Sequence, residues 1–262
     1  MNRISVFLSD WQVLFREGIH FTLSGEEDIE VIGEATSSAE ALKAIQTNPP
    51  DVAVLNTNHD KLEGIRVAGY LRQNFPAVAV LLIMDNDDDE QLFMALRSGA
   101  SACLAKDADP ADLIEAIRAV AGGERPITDA LLRPVIASHI LDEFEEFGII
   151  DEQVDNLLAK LTPGETELLH QIANGTPVDR VCQALNISEA EASRSFGFIV
   201  SKLVTNDYVR QVLAAAQAGL LPAGIRNRLA GAGATEFVTK DEFTAFKESL
   251  RERFRSLTGD AA

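Results

Sequence analysis

The sequence predicts an α/β fold built on a five-stranded, parallel, doubly wound sheet, joined by a helical linker to an all-α helix-turn-helix and a C-terminal amphipathic helix. Three observations predict it. Short apolar runs alternate with helical segments as far as Ala121, two capping boxes open helices on either side of a tight turn at Asn186-Ile187, and Phe243 to Leu257 carries an apolar stripe at helical spacing.

The first apolar run, Ile4 to Leu8, ends at Ser9-Asp10, and Phe15 to Leu23 then reads as a helix; Ile29 to Ile32 is the second strand. Helix Ser38 to Gln46 leads to strand Val52 to Leu55, helix Ile65 to Asn74 to strand Val78 to Ile83, and helix Glu90 to Ser98 to strand Ala102 to Leu104. Helix Pro110 to Ala121 closes the set. Strands this apolar must be covered on both faces, and such sheets place their functional crevice at the carboxyl ends of the strands. Those ends carry Asp10, Asn56, Met84 and Lys106.

Beyond Gly123, Ala130 to Phe147 and Glu152 to Ala159 are amphipathic segments with acidic polar sides, which makes residues 124–160 a helical linker. Pro134 is expected to kink the first of them. The linker's apolar positions, among them Leu131, Ile136, Ile140 and Phe144, suit either packing on the preceding domain or a dimer contact. Thr162, Pro163 and Glu165 then form a capping box with proline at the first helical position. Gly175 ends that helix, and a second runs from Pro177 to Leu185. A further box at Ser188 and Glu191 opens a third helix to Leu203, and a fourth spans Tyr208 to Ala218. Four short helices with this turn read as a helix-turn-helix over residues 161–221. Residues 222–262 read as a Gly/Ala-rich flexible link and a tail helix from Lys240 to Leu257, whose stripe needs a cover from this chain or a partner.

Composition narrows the function. The net charge of −18 weighs against nucleic-acid binding as a general property, because phosphate neutralisation supplies most of that affinity. No apolar run approaches the roughly 20 residues of a membrane span, and the N-terminus has no small-residue cleavage site, so a cytoplasmic protein without membrane contact is expected. Cys103 and Cys182 stand far apart with no His at a metal spacing, and both read as buried small hydrophobes. His20, His59, His139 and His170 lack a nucleophile or paired acid at motif spacing, and no phosphate-cradling glycine loop occurs; neither an enzyme nor a cofactor is expected. The acidic run Asp85 to Glu90 lacks calcium-loop spacing and sits where a helix begins.

Phe15-Arg16-Glu17-Gly18, Pro50-Asp51-Val52, Leu96-Arg97-Ser98-Gly99-Ala100-Ser101, Lys106-Asp107-Ala108, and Leu161-Thr162-Pro163 followed by Ile187-Ser188-Glu189-Ala190 stand in a characteristic order and spacing. In these motifs the chain, from about Ile4 to Leu221, resembles two-component response regulators of the LuxR/NarL class. The resemblance implies a receiver domain over residues 1–123 and a LuxR-type DNA-binding module over residues 161–221; the tail has no counterpart.

Receivers of that family take a phosphoryl group on an aspartate ending the third strand, with Mg²⁺ held by an acid pair after the first. The matching positions here are Asn56, Asp10 and Trp11. A carboxamide cannot form an acyl phosphate as Asp does, and Mg²⁺ needs carboxylates that Trp11 does not supply. The family's switch hydroxyl aligns with Met84 and its switch aromatic with Cys103; only Lys106 persists, free to pair with Asp10 and leave the pocket near neutral. Such a pseudo-receiver is either held in one conformation by packing or a protein partner, or kept as a dimerisation scaffold.

The family's third helix enters the major groove, where its lysine and histidine align with Ser193 and Ser195. Arg194 lies between them, and Arg180 and Lys202 complete the candidate contacts. Glu191 has the wrong sign for DNA unless the cap uses it, Asp179 stands where the family is basic, and Phe198 stands where it is polar. Two function classes follow. One is a phosphorylation-independent transcription regulator that binds DNA as a homodimer; the other is an antagonist or adaptor that keeps the helix-turn-helix shape and binds a protein through the receiver or the tail helix.

Overall fold

The computed structural model of the chain describes residues 3–57, 63–85, 88–148 and 158–217. Its elements run β1 (Ile4–Ser9), α1 (Val13–Ser24), β2 (Ile29–Ala35), α2 (Ser38–Thr47), β3 (Val52–Asn56), α3 (Glu63–Asn74), β4 (Ala79–Met84), α4 (Asp89–Ser98), β5 (Ala102–Ala105) and α5 (Pro110–Ala121). A 3-10 segment (Pro126–Leu132) and α6 (Pro134–Gly148) follow, then α7 (Pro163–Ala173), α8 (Val178–Leu185) and α9 (Glu189–Gln217).

The strands form one parallel sheet in the order β2-β1-β3-β4-β5. Side chains alternate across it. Val6, Leu8, Val54, Leu81 and Ile83 pack with Ile19 and Leu23 of α1 and Leu113 and Ile117 of α5. Phe7, Ala53, Leu55, Val80 and Leu82 face the opposite way, towards α2, α3 and α4. This second core runs on without a break into Leu131, Ile136, Ile140, Leu168, Phe196 and Leu203. Among the described residues the linker's apolar face is therefore packed on the core, with Leu132 and Val135 of it left exposed.

Three expectations need correction. Pro134 does not kink a helix: it starts α6, after a tighter 3-10 segment, which suits a residue that lacks an N–H and fixes φ. The third and fourth helices are one, because Thr205-Asn206-Asp207 continue the helical path. Asn206 is wholly buried, and its carboxamide accepts from Ala159 N (2.8 Å) and donates to Ala159 O (2.9 Å), so a polar run that resembles a break is anchored inside. Cys182 is buried as expected, but Cys103 is only partly so. The second linker segment falls largely, and the flexible link and tail helix fall wholly, outside the described residues.

Both predicted capping boxes form. Thr162 Oγ1 accepts from Glu165 N (3.3 Å) while Glu165 accepts from Thr162 N (2.6 Å), and Ser188 and Glu191 repeat the exchange at 3.2 and 2.8 Å. Between them, Asn186 closes α8 in the left-handed conformation (φ 54°), which an Asn tolerates. The α/β part and the helical part meet through charge as well as apolar packing. Arg97 of α4 pairs with Asp207 of α9 and lies 3.6 Å from Glu143 of α6, which also takes Arg210. Phe93 and His139 stack edge to face across the same seam, and Arg133 donates to Asp89 (2.9 Å).

Candidate functional site

The crevice sits where the sheet order reverses, between the carboxyl ends of β1 and β3. Asp10 follows β1 and Asn56 ends β3; both are buried, at 5% and 7% exposure. Asn56 Nδ2 donates to Asp10 Oδ2 at 2.8 Å, and Gln12 N donates to Asp10 Oδ1 at 2.7 Å. Each carboxylate oxygen of Asp10 thus holds a neutral donor. The Asp10 carbonyl accepts from Arg16 (2.9 Å), whose Nε is held by Glu34 (2.8 Å), so the Phe15-Arg16-Glu17-Gly18 motif anchors the turn that presents Asp10.

The sequence suggested that Lys106 pairs with Asp10 alone; its closer partner is Asp85. Its ammonium stands 4.0 Å from Asp10 Oδ2 and makes its close ion pair with Asp85, while donating to Gln12 Oε1 at 2.8 Å. It also lies 5.3 Å from the Phe15 ring centroid, at cation–π range. The pocket therefore holds two carboxylates and one ammonium, a net −1 instead of neutrality. Asp85 was missed because its part depends on how Lys106 reaches, which no spacing records.

Mg²⁺ does not fit these residues. A tight octahedral shell needs free carboxylate oxygens, yet both oxygens of Asp10 are engaged, Asn56 turns its NH₂ group inward, and Trp11 stands 57% exposed. No group of three metal-ligating side chains occurs among the described residues. Met84, where the family has a hydroxyl, is buried in the apolar core, and its carbonyl accepts from Lys106 N (2.9 Å). Beside Asn56, Thr57 is fully buried with its Oγ1 donating to Gln91 of α4 (3.3 Å). That hydrogen bond ties the β3 end to α4.

In the helical part, Arg180, Ser193 and Arg194 are exposed, whereas Ser195 is partly buried and donates to Glu191 O (3.0 Å). Lys202 is withdrawn: its ammonium sits 2.6 and 2.8 Å from the Glu165 carboxylate. Glu191 is committed to its cap, and the Ser188 backbone and hydroxyl donors hold its carboxyl below the usual range. Phe198 stands 57% exposed one turn beyond Arg194.

Residues 6–118 match the response regulator receiver domain. Over that stretch the five-stranded parallel sheet and its surrounding helices have the receiver fold. The similarity extends past it. The chain is 28% identical over 217 residues to the transcriptional regulatory protein YhcZ of Bacillus subtilis (strain 168), covering 83% of this chain and 97% of that one. It is 28% identical over 223 residues to the transcriptional regulatory protein DegU of Brevibacillus brevis, covering 81% and 92%. It is 27% identical over 186 residues to the nitrate/nitrite response regulator protein NarL of Escherichia coli (strain K12), covering 71% and 82%. These relatives are named as transcription regulators or response regulators, not enzymes, and the alignments take in helices beyond the receiver. No helix among the described residues is long and apolar enough to cross a membrane.

Proposed function

We propose that the chain is a cytoplasmic transcription regulator of the NarL/DegU type that binds DNA as a homodimer and whose receiver domain does not take a phosphoryl group. The carrying observation is the hydrogen bond from the Asn56 carboxamide to Asp10 at the crevice where the resemblance places a phosphoacceptor. An amide bonded this way offers a donor, not a nucleophile, so the receiver acts as a fixed body packed on the helical part.

Arg180, Ser193 and Arg194 are the contacts left to DNA once Lys202 is tied to Glu165. So few phosphate contacts make affinity weak and steeply dependent on salt, and two copies double them. Leu14 and Phe21, two turns apart on α1 and 88% and 84% exposed, support self-association there. Phe21→Glu is expected to shift sedimentation from dimer to monomer with the melting temperature unchanged. In gel shifts with genomic fragments, binding is expected at low salt, unchanged by acetyl phosphate with Mg²⁺, and lost in Arg194→Ala. Enhancement by acetyl phosphate would contradict the proposal.

Exposed Phe198 favours a second reading, in which the face bearing Arg194 meets a protein. Under that reading the chain fails to bind DNA even at low salt and copurifies with a partner that Phe198→Ser releases.

A further inference from the structure

A cleft of about 600 Å³ lies between α3 and α4 of the receiver and α9 of the helical part. Its charge runs against that of the chain. In a protein of net charge −18, three arginines, Arg66, Arg72 and Arg97, line it against a single carboxylate, Asp207. Arg97 is already committed to Asp207 and Glu143. Arg66 and Arg72 make no ion pair with any described residue. Arg72 also bears on Arg125, whose guanidinium is pushed down to about 10, first by burial and then by the charge of Arg72. Positive charge is in excess along this wall, a condition an anion relieves.

The rest of the lining suits a ring. Tyr70 comes from α3, its hydroxyl accepting from Gln46 Nε2 at 2.9 Å, and Tyr208 comes from α9. Gly69 lies between the arginines on α3, and a Cβ there would meet nothing within 4 Å, so the wall is open at that point. The volume is in the range of small-molecule sites, about 300–1,000 Å³, and far exceeds what one inorganic anion fills.

We propose that this cleft binds a nucleoside phosphate, with the phosphate on Arg66 and Arg72 and the base against Tyr70 and Tyr208. Guanidinium forks match phosphate oxygens, and tyrosine faces accept any base. Such a ligand touches the receiver and α9 together, so it favours the arrangement in which they are docked and gives a receiver without phosphoryl chemistry an input. The inference does not depend on whether the helical part binds DNA.

The test is thermal melting and equilibrium dialysis of the full chain with AMP, ADP, ATP, GMP, GDP and GTP, each set against sodium phosphate and the free nucleoside. At least one nucleotide is expected to raise the melting temperature saturably where phosphate and nucleoside do not. Arg66→Gln is expected to weaken that binding about tenfold, the order of one lost charged hydrogen bond. Gly69→Leu is expected to abolish it without lowering the ligand-free melting temperature, since the added side chain fills open space and removes a helical glycine. No shift with any of the nucleotides, a shift matched by phosphate alone, or one that survives Gly69→Leu would overturn the proposal.

Discussion

Gly64→Ala is expected to destabilise the chain by about 3 kcal/mol or more, at the upper end of overpacking costs. Gly64 is buried in the first turn of α3, where a Cβ would lie 2.0 Å from the Asn56 carbonyl oxygen and 2.8 Å from its carbon. Both are backbone atoms of β3, so no rotamer change relieves the clash. Either α3 lifts from the sheet or the end of β3 moves, and the second outcome pulls Asn56 off Asp10. Against a typical total of 5–15 kcal/mol the loss is large. Gly18→Ala is the control: its Cβ would meet nothing within 4 Å, and replacing a helical glycine should stabilise by about 0.5–1 kcal/mol. Urea titrations of both variants check this; equal midpoints would contradict the close approach of α3 to β3.

Asn56→Asp is expected to cost about 3 kcal/mol at pH 7, by removing a buried donor and setting an acceptor against Asp10 Oδ2. Lys106 cannot offset this, because its close partner is Asp85 and Asp10 is 4.0 Å away. Two carboxylates at this distance cannot both ionise cheaply, so one is held as the acid with its folded pKa raised above the unfolded value of about 3.9. A raised acid contributes least loss at low pH, where its proton replaces the amide donor, and the deficit grows as pH rises from the unfolded pKa through the folded one. Denaturation midpoints at pH 5 and pH 7 should show a smaller gap from wild type at pH 5. An equal or reversed gap would contradict the geometry of the pair.

The sheet was legible chiefly because its central strands, β3 and β4, are continuous apolar runs ended by polar residues, as parallel strands covered on both faces are. The helix starts were legible for a local reason, since a capping box closes within four residues. What escaped was long-range. The continuity of α9 rests on Asn206 reaching Ala159, 47 positions away, and Asp207 reaching Arg97, 110 positions away. The linker's apolar face could be seen, but not what it packs on. At the crevice, Asp10, Asn56 and Lys106 stand within reach of one another. Lys202, expected as a candidate DNA contact, is paired with Glu165, 37 positions away, which nothing in its spacing reveals.

The most direct measurement on the receiver is intact-mass spectrometry of the purified chain after incubation with acetyl phosphate and Mg²⁺, with peptide mapping of any adduct. An unmodified mass is expected at every concentration tested. A phosphoryl group mapped to the crevice around Asp10, Asn56 and Asp85 would contradict it.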